Sequence, residues 1–124
     1  MEISLGKKRF NVKEARTDEE RREGLQNKKS LNADEGMIFF FDYPGEYQFW
    51  MKDTSIPLDI IFVNNEEKVT KVYKANPNDE RLVSSPETLY VVEVSQNSGV
   101  RKGDVLDLDP DDDGPIMKVL DENG

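Results

Sequence analysis

The sequence predicts a mostly β domain, a compact antiparallel β-barrel or sandwich of about 7–9 short strands with one short helix in the N-terminal half. Three observations carry that expectation. Apolar runs of strand length recur along the chain, punctuated by Gly, Pro, Asn and Asp. One helix-start signal stands out, and no strand–helix–strand rhythm is evident. The length of 124 residues suits one core, since at that size roughly two-thirds of the unfolded surface becomes buried.

Ile3 and Leu5, then Phe10, Val12 and Ala15, fall at near-alternating positions around Gly6-Lys7-Lys8, the pattern of two short strands in a hairpin. Thr17-Asp18-Glu19-Glu20 matches a capping box, in which Thr17 accepts from the backbone three residues on and Glu20 reaches back. A helix over 18 to about 28 follows, with Gly24 as a tolerated interior glycine that weakens it. The runs 37–41, 47–51 and 56–63 read as core strands, broken by Pro44-Gly45 and by Lys52-Asp53-Thr54-Ser55. Asn64-Asn65-Glu66-Glu67 makes a turn into an alternating strand over 69–75, an antiparallel hairpin. Residues 76–87 read as a loop and 89–94 as a strand. Ser98-Gly99 turns the chain into a last strand pair, 105–108 with 116–120.

The composition excludes several chemistries. With neither Cys nor His, there is no thiolate nucleophile, disulfide, Cys-ligated metal or imidazole base, so any chemistry rests on carboxylates, Lys, Arg, Tyr, Ser or Thr. No cofactor fingerprint or phosphate-cradling glycine loop is present, and no cofactor is expected. The formal charge of −9 repels phosphate backbones and anionic bilayers, so neither nucleic acid nor a membrane is expected as a partner. A small ligand or a protein is expected instead, with the oligomeric state open. The N-terminus lacks a signal-peptide apolar run and no segment reaches membrane-spanning length, which points to the cytoplasm.

The densest candidate site lies in 49–63. Asp59 stands between Leu58 and Ile60 in the most apolar stretch, and a carboxylate buried there needs a charged or hydrogen-bonding partner. Lys52, Arg21 and Arg22 are the candidates. Asp59 then either satisfies a strand end or, with Lys52, floors a pocket walled by Trp50, Met37 and Met51. Trp50 likewise reads as core filling or as a recognition surface, according to its exposure. Further on, Asp109, Asp111 and Asp113 with Gly114 imitate the start of an EF-hand loop. Leu120 occupies the position that should carry the bidentate Glu, and no helix precedes the loop, so the weak calcium candidate competes with a solvated acidic turn and no metal site is assigned.

Thr17-Asp18-Glu19-Glu20-Arg21-Arg22-Glu23-Gly24-Leu25, Gly36-Met37-Ile38-Phe39, Phe49-Trp50-Met51-Lys52-Asp53-Thr54 and Ile56-Pro57-Leu58-Asp59-Ile60-Ile61-Phe62 together resemble the domain of unknown function 192 family. Gly99-Val100-Arg101-Lys102-Gly103-Asp104 resembles that family's closing turn. The resemblance implies a small β-barrel or sandwich and no defined activity. It departs at Gln26, where relatives carry Met, and at Asp53, where Asn is usual. Carried over residue by residue, it marks Arg21, Met37, Trp50, Lys52, Thr54 and Asp59 as a site. The domain of that family is expected over 1–108, with 109–124 an acidic turn and C-terminal strand packed on it. The expected function is a non-catalytic accessory or binding domain with its site near Trp50, Lys52 and Asp59. The alternatives are an assembly component, such as a phage-encoded one, and a small enzyme using Asp59 and Lys52.

Overall fold

The computed structural model describes residues 1–110. In chain order the elements are β1 (Glu2–Leu5), β2 (Lys8–Ala15), α1 (Asp18–Glu23), β3 (Glu35–Gly45), β4 (Gln48–Phe49), β5 (Leu58–Val63), β6 (Val69–Ala75), β7 (Val83–Ser84), β8 (Thr88–Ser95) and β9 (Leu106–Asp107). Seven of them form one curled sheet in the order β6-β5-β8-β3-β2-β1-β9, and β4 pairs with β7 in a small separate ribbon. The curl brings the two ends of the sheet together. Lys68 bridges Val105, Leu106 N–H donates to the Glu67 carbonyl and Val69 N–H to the Asp104 carbonyl, closing a barrel.

Every strand of the large sheet contributes to the barrel interior, which holds Ile3, Leu5, Phe10, Val12, Ile38, Ile61, Val63, Val69, Val92, Val94 and Leu106, joined by Val100. A second apolar layer covers the outer face: Ala15, Phe39, Leu58, Ile60, Phe62, Ala75 and Val91 pack beneath Leu25, Met51 and Ile56 from the connecting segments. β5 is therefore buried on both faces, which is why its sequence is a continuous apolar run rather than an alternating one.

The structure departs from the sequence expectations in four places. The helix stops at Glu23 because Gly24 adopts φ +52 and donates its N–H to the Glu20 carbonyl, so the glycine ends the helix instead of sitting inside it. Its start matches the capping box: Glu20 N–H donates to Thr17 Oγ1, and the N–H groups of Arg16 and Thr17 donate to Glu20 Oε1. These bonds to its charged form hold the Glu20 carboxyl below its ordinary value. Secondly, β2 and β3 run parallel, joined by a crossover that carries α1; every other pair is antiparallel. Thirdly, 47–51 is no core strand. Only Gln48 and Phe49 are paired, within the outer ribbon. Fourthly, Val83 and Ser84, within the expected loop 76–87, form β7 and pair with β4. β9 pairs with β1. The expected partner over 116–120 lies outside the described residues, as do Asp111 and Asp113 of the calcium candidate. Among the described residues no helix is long and apolar enough to cross a membrane.

Candidate functional site

Side-chain alternation decides which predicted site residues meet. On β5, Asp59 is in phase with Ile61 and Val63, and its cross-strand neighbour is Val94, so it faces the barrel interior. It is 3% exposed. Its partner is neither Lys52 nor an arginine: Asp59 Oδ2 accepts from Ser98 N–H at 3.0 Å and from Ser98 Oγ at 2.7 Å, and Oδ1 has no partner among the described residues. Ser98 Oγ accepts in turn from Val100 N–H, so the carboxylate pins the turn that caps one end of the barrel.

The remaining predicted residues lie on the other face of the sheet. Arg21, Trp50 and Thr54 line a cleft of about 320 Å³ between α1 and the segment 47–54. Arg21 is locked in place: its guanidinium donates to the Arg16 and Phe40 carbonyls at 2.7 Å each and to Asp18 Oδ1 at 2.7 Å, and it lies over the Phe41 ring at 5.4 Å. Trp50 is 41% exposed. The Lys52 ammonium stands 5.3 Å from its ring, at the outside of the cleft. Thr54 is buried and donates to the Lys52 carbonyl at 3.1 Å, fixing the turn over 52–53. Asp53 there has φ +53, a conformation that Asn and Asp accept best. Met37 lines a neighbouring cavity of about 520 Å³ under the crossover, which shares Glu23, Gly24, Leu25 and Gln26 with the cleft as a partition.

Two features of the cleft are absent from the predicted set. One is an aromatic wall: Phe41 stacks on Tyr47 with ring centroids 3.8 Å apart, Phe49 meets Phe39 and Phe41 edge-on, and the Tyr47 hydroxyl donates to the Tyr43 carbonyl. The other is Glu93. On β8 it is in phase with Val91 and opposite Ile60 and Met37, so it points from the outer face into the cleft floor, 6% exposed. No hydrogen bond or ion pair from the described residues reaches its carboxylate. Burial alone pushes its carboxyl up to about 7 from 4.5. The sequence signal for Glu93 is its phase: it shares a face with Val91 in a strand whose other face, Val92 and Val94, is entirely core.

The sequence profile of the family DUF192, described as Uncharacterized ACR, matches residues 1–108. A protein of unknown function from Novosphingobium aromaticivorans DSM 12444 is similar in structure, with a TM-score of 0.82 and 32% identity over 86% of this chain and 84% of that one. A protein from Sinorhizobium meliloti 1021, provisionally named a transcription regulator, superposes with a TM-score of 0.82 and 27% identity over 86% of this chain and 91% of that one. No curated protein matches the chain.

Proposed function

The chain belongs to the DUF192 family, which carries no assigned activity, and we propose that this member is a binding domain whose site is the aromatic cleft over Glu93. The observation that carries this reading is the convergence of a buried, unpartnered carboxyl with the Phe39, Phe41, Phe49 and Trp50 rings in one opening. Its size falls within the span of small-molecule pockets, roughly 300–1,000 Å³, and apolar and aromatic walls with a few placed polar groups are their usual makeup. Arg21 and Thr54 belong to this site as positioning residues, since Arg21 ties α1 to β3 and Thr54 ties the turn beneath Trp50. Asp59 serves instead as a structural staple. The transcription-regulator name of the Sinorhizobium relative is compatible with an effector-binding role, while the −9 charge argues against direct DNA contact.

Trp50 is the sole tryptophan, so its emission reports on the cleft directly. Titration with ring-bearing small molecules at up to millimolar concentration is expected to shift Trp50 emission saturably and without chemical conversion. Turnover of a bound molecule, abolished in Glu93→Gln, would replace the binding reading by acid–base catalysis. Failure of every fragment to perturb Trp50 would remove the site.

A further inference from the structure

We infer that the cleft is built for a protonated organic amine, its ammonium group seated against the Glu93 carboxylate and its carbon skeleton against the Phe39, Phe41, Phe49 and Trp50 rings. This rests on the binding reading above and specifies the occupant. Three observations lead to it. First, Glu93 is an anion site without a cation: it lies on the floor of an opening that a ligand can enter, and no described side chain pairs with it. A carboxylate left so is costly, and a cation delivered from outside removes the cost.

Second, among the described residues no cation is placed to pair with Glu93. Besides Glu93, the charged described residues lining the cleft are Asp18, Arg21, Arg22 and Glu23 of α1; Arg22 makes no ion pair among the described residues but is exposed on the helix and makes no contact with the Glu93 carboxylate, and Tyr47 is the other titratable group on the wall. Arg21 is held by Asp18 and two backbone carbonyls, so it cannot swing inward to pair with Glu93. Lys52 is drawn to the Trp50 ring at the outer edge. Third, the walls are π faces, which attract ammonium groups through the ring quadrupole and do so more strongly where water is excluded. An anionic ligand would meet the Glu93 carboxylate on the floor, with the nearest unpaired cation among the described residues, Arg22, exposed on the helix instead of beside it. A neutral ligand would use the rings and leave the carboxylate unpaired.

The same geometry makes binding depend on pH. With its carboxyl held up at about 7, Glu93 must lose its proton to pair with an ammonium, so affinity falls about tenfold per pH unit below 7 and levels off above it.

The probes are benzylammonium, benzyl alcohol and phenylacetate, titrated calorimetrically and by Trp50 emission into the full chain and its Glu93→Gln variant near pH 6 and pH 8. At pH 8 benzylammonium is expected to bind at least about tenfold more tightly than benzyl alcohol, the scale of one charge-assisted hydrogen bond, with phenylacetate weakest. Glu93→Gln is expected to erase that preference and the loss at pH 6. The amide matches the acid in shape, and thermal melting of the variant establishes that it is folded. A preference for benzylammonium that persists in Glu93→Gln, or none in the parent protein, overturns the inference. In that event saturable binding of benzyl alcohol still upholds the cleft as a site, whereas silence from all three probes removes both.

Discussion

The buried carboxyl of Glu93 should be measurable as a pH dependence of folding in the protein without ligand. Its ordinary value is 4.5 and its folded value about 7, so the folded state favours the protonated form. The resulting destabilisation is absent below about 4.5, grows as the pH rises, and is complete above about 7. At about 1.36 kcal/mol per pH unit between those two values, the full effect is about 3 kcal/mol. The interval from pH 5 to 8 isolates this group well. The chain has no His. The depressed carboxyls, Asp79 at about 2 beside Arg81 and Glu20 in the helix cap, contribute stability that is already complete above their ordinary values and is lost only in acid. Since part of the effect is already present at pH 5, urea unfolding of the parent protein is expected to give a free energy about 2.5 kcal/mol lower at pH 8 than at pH 5, a midpoint shift of about 1.7 M at an m-value of about 1.5 kcal/mol/M. Glu93→Gln should flatten that dependence and be the more stable protein at pH 8. A parent protein whose stability is level across the interval, or a variant with the same slope, would refute a desolvated Glu93.

Other outcomes follow from the packing. Asp59→Ala strands both Ser98 donors and is expected to lower stability by about 2–3 kcal/mol. Ser98→Ala should cost less, and the double variant less than the sum, while Trp50-cleft binding stays within about twofold; a comparable loss of binding would mean that Asp59 does serve the cleft. Gly36→Ala would set a Cβ 2.2 Å from the Glu93 carbonyl oxygen, and chemical denaturation should show a loss of about 3 kcal/mol as β3 is forced off β8. An alanine variant of unchanged stability would contradict the close approach of these strands.

Much of the fold is legible in the residues themselves, because burial and helix starts are local matters. The hairpin of β1 and β2 follows from the alternation of Ile3, Leu5, Phe10 and Val12, and the helix start from the hydroxyl and carboxylate of Thr17 and Glu20. Partner choice is less local. The parallel pairing of Asn11–Ala15 with Glu35–Phe39 is hidden, since a periodicity of two states which face is buried and not which strand lies alongside. Gly24 is ambiguous for a similar reason: only the backbone angle separates an interior glycine from a terminating one. In the site, the burial of Asp59 is readable from its apolar neighbours, but its partner is an uncharged serine 39 residues away, which no charge count reveals. Asp59 and Glu93 sit on strands that are adjacent in the sheet and point through opposite faces of it. A one-dimensional reading of an acid amid apolar residues finds the first and misses the second, although the phase of Glu93 with Val91 carries the same information.

The wall of the barrel resembles a cask with one loose stave. Ladders of four to six residue pairs join its strands except at β9, which shares two pairs with β1 and meets β6 through a single bridge and a few backbone bonds that draw the edges shut. That seam lies beside β1, so both the N-terminal strand and the last described strand belong to the part of the wall that frays first. The cleft stands on β3 and β8, the staves opposite the join. Opening at the seam can admit water to the interior while the cleft keeps its shape, so the molecule breathes on the side away from the one that would hold a guest.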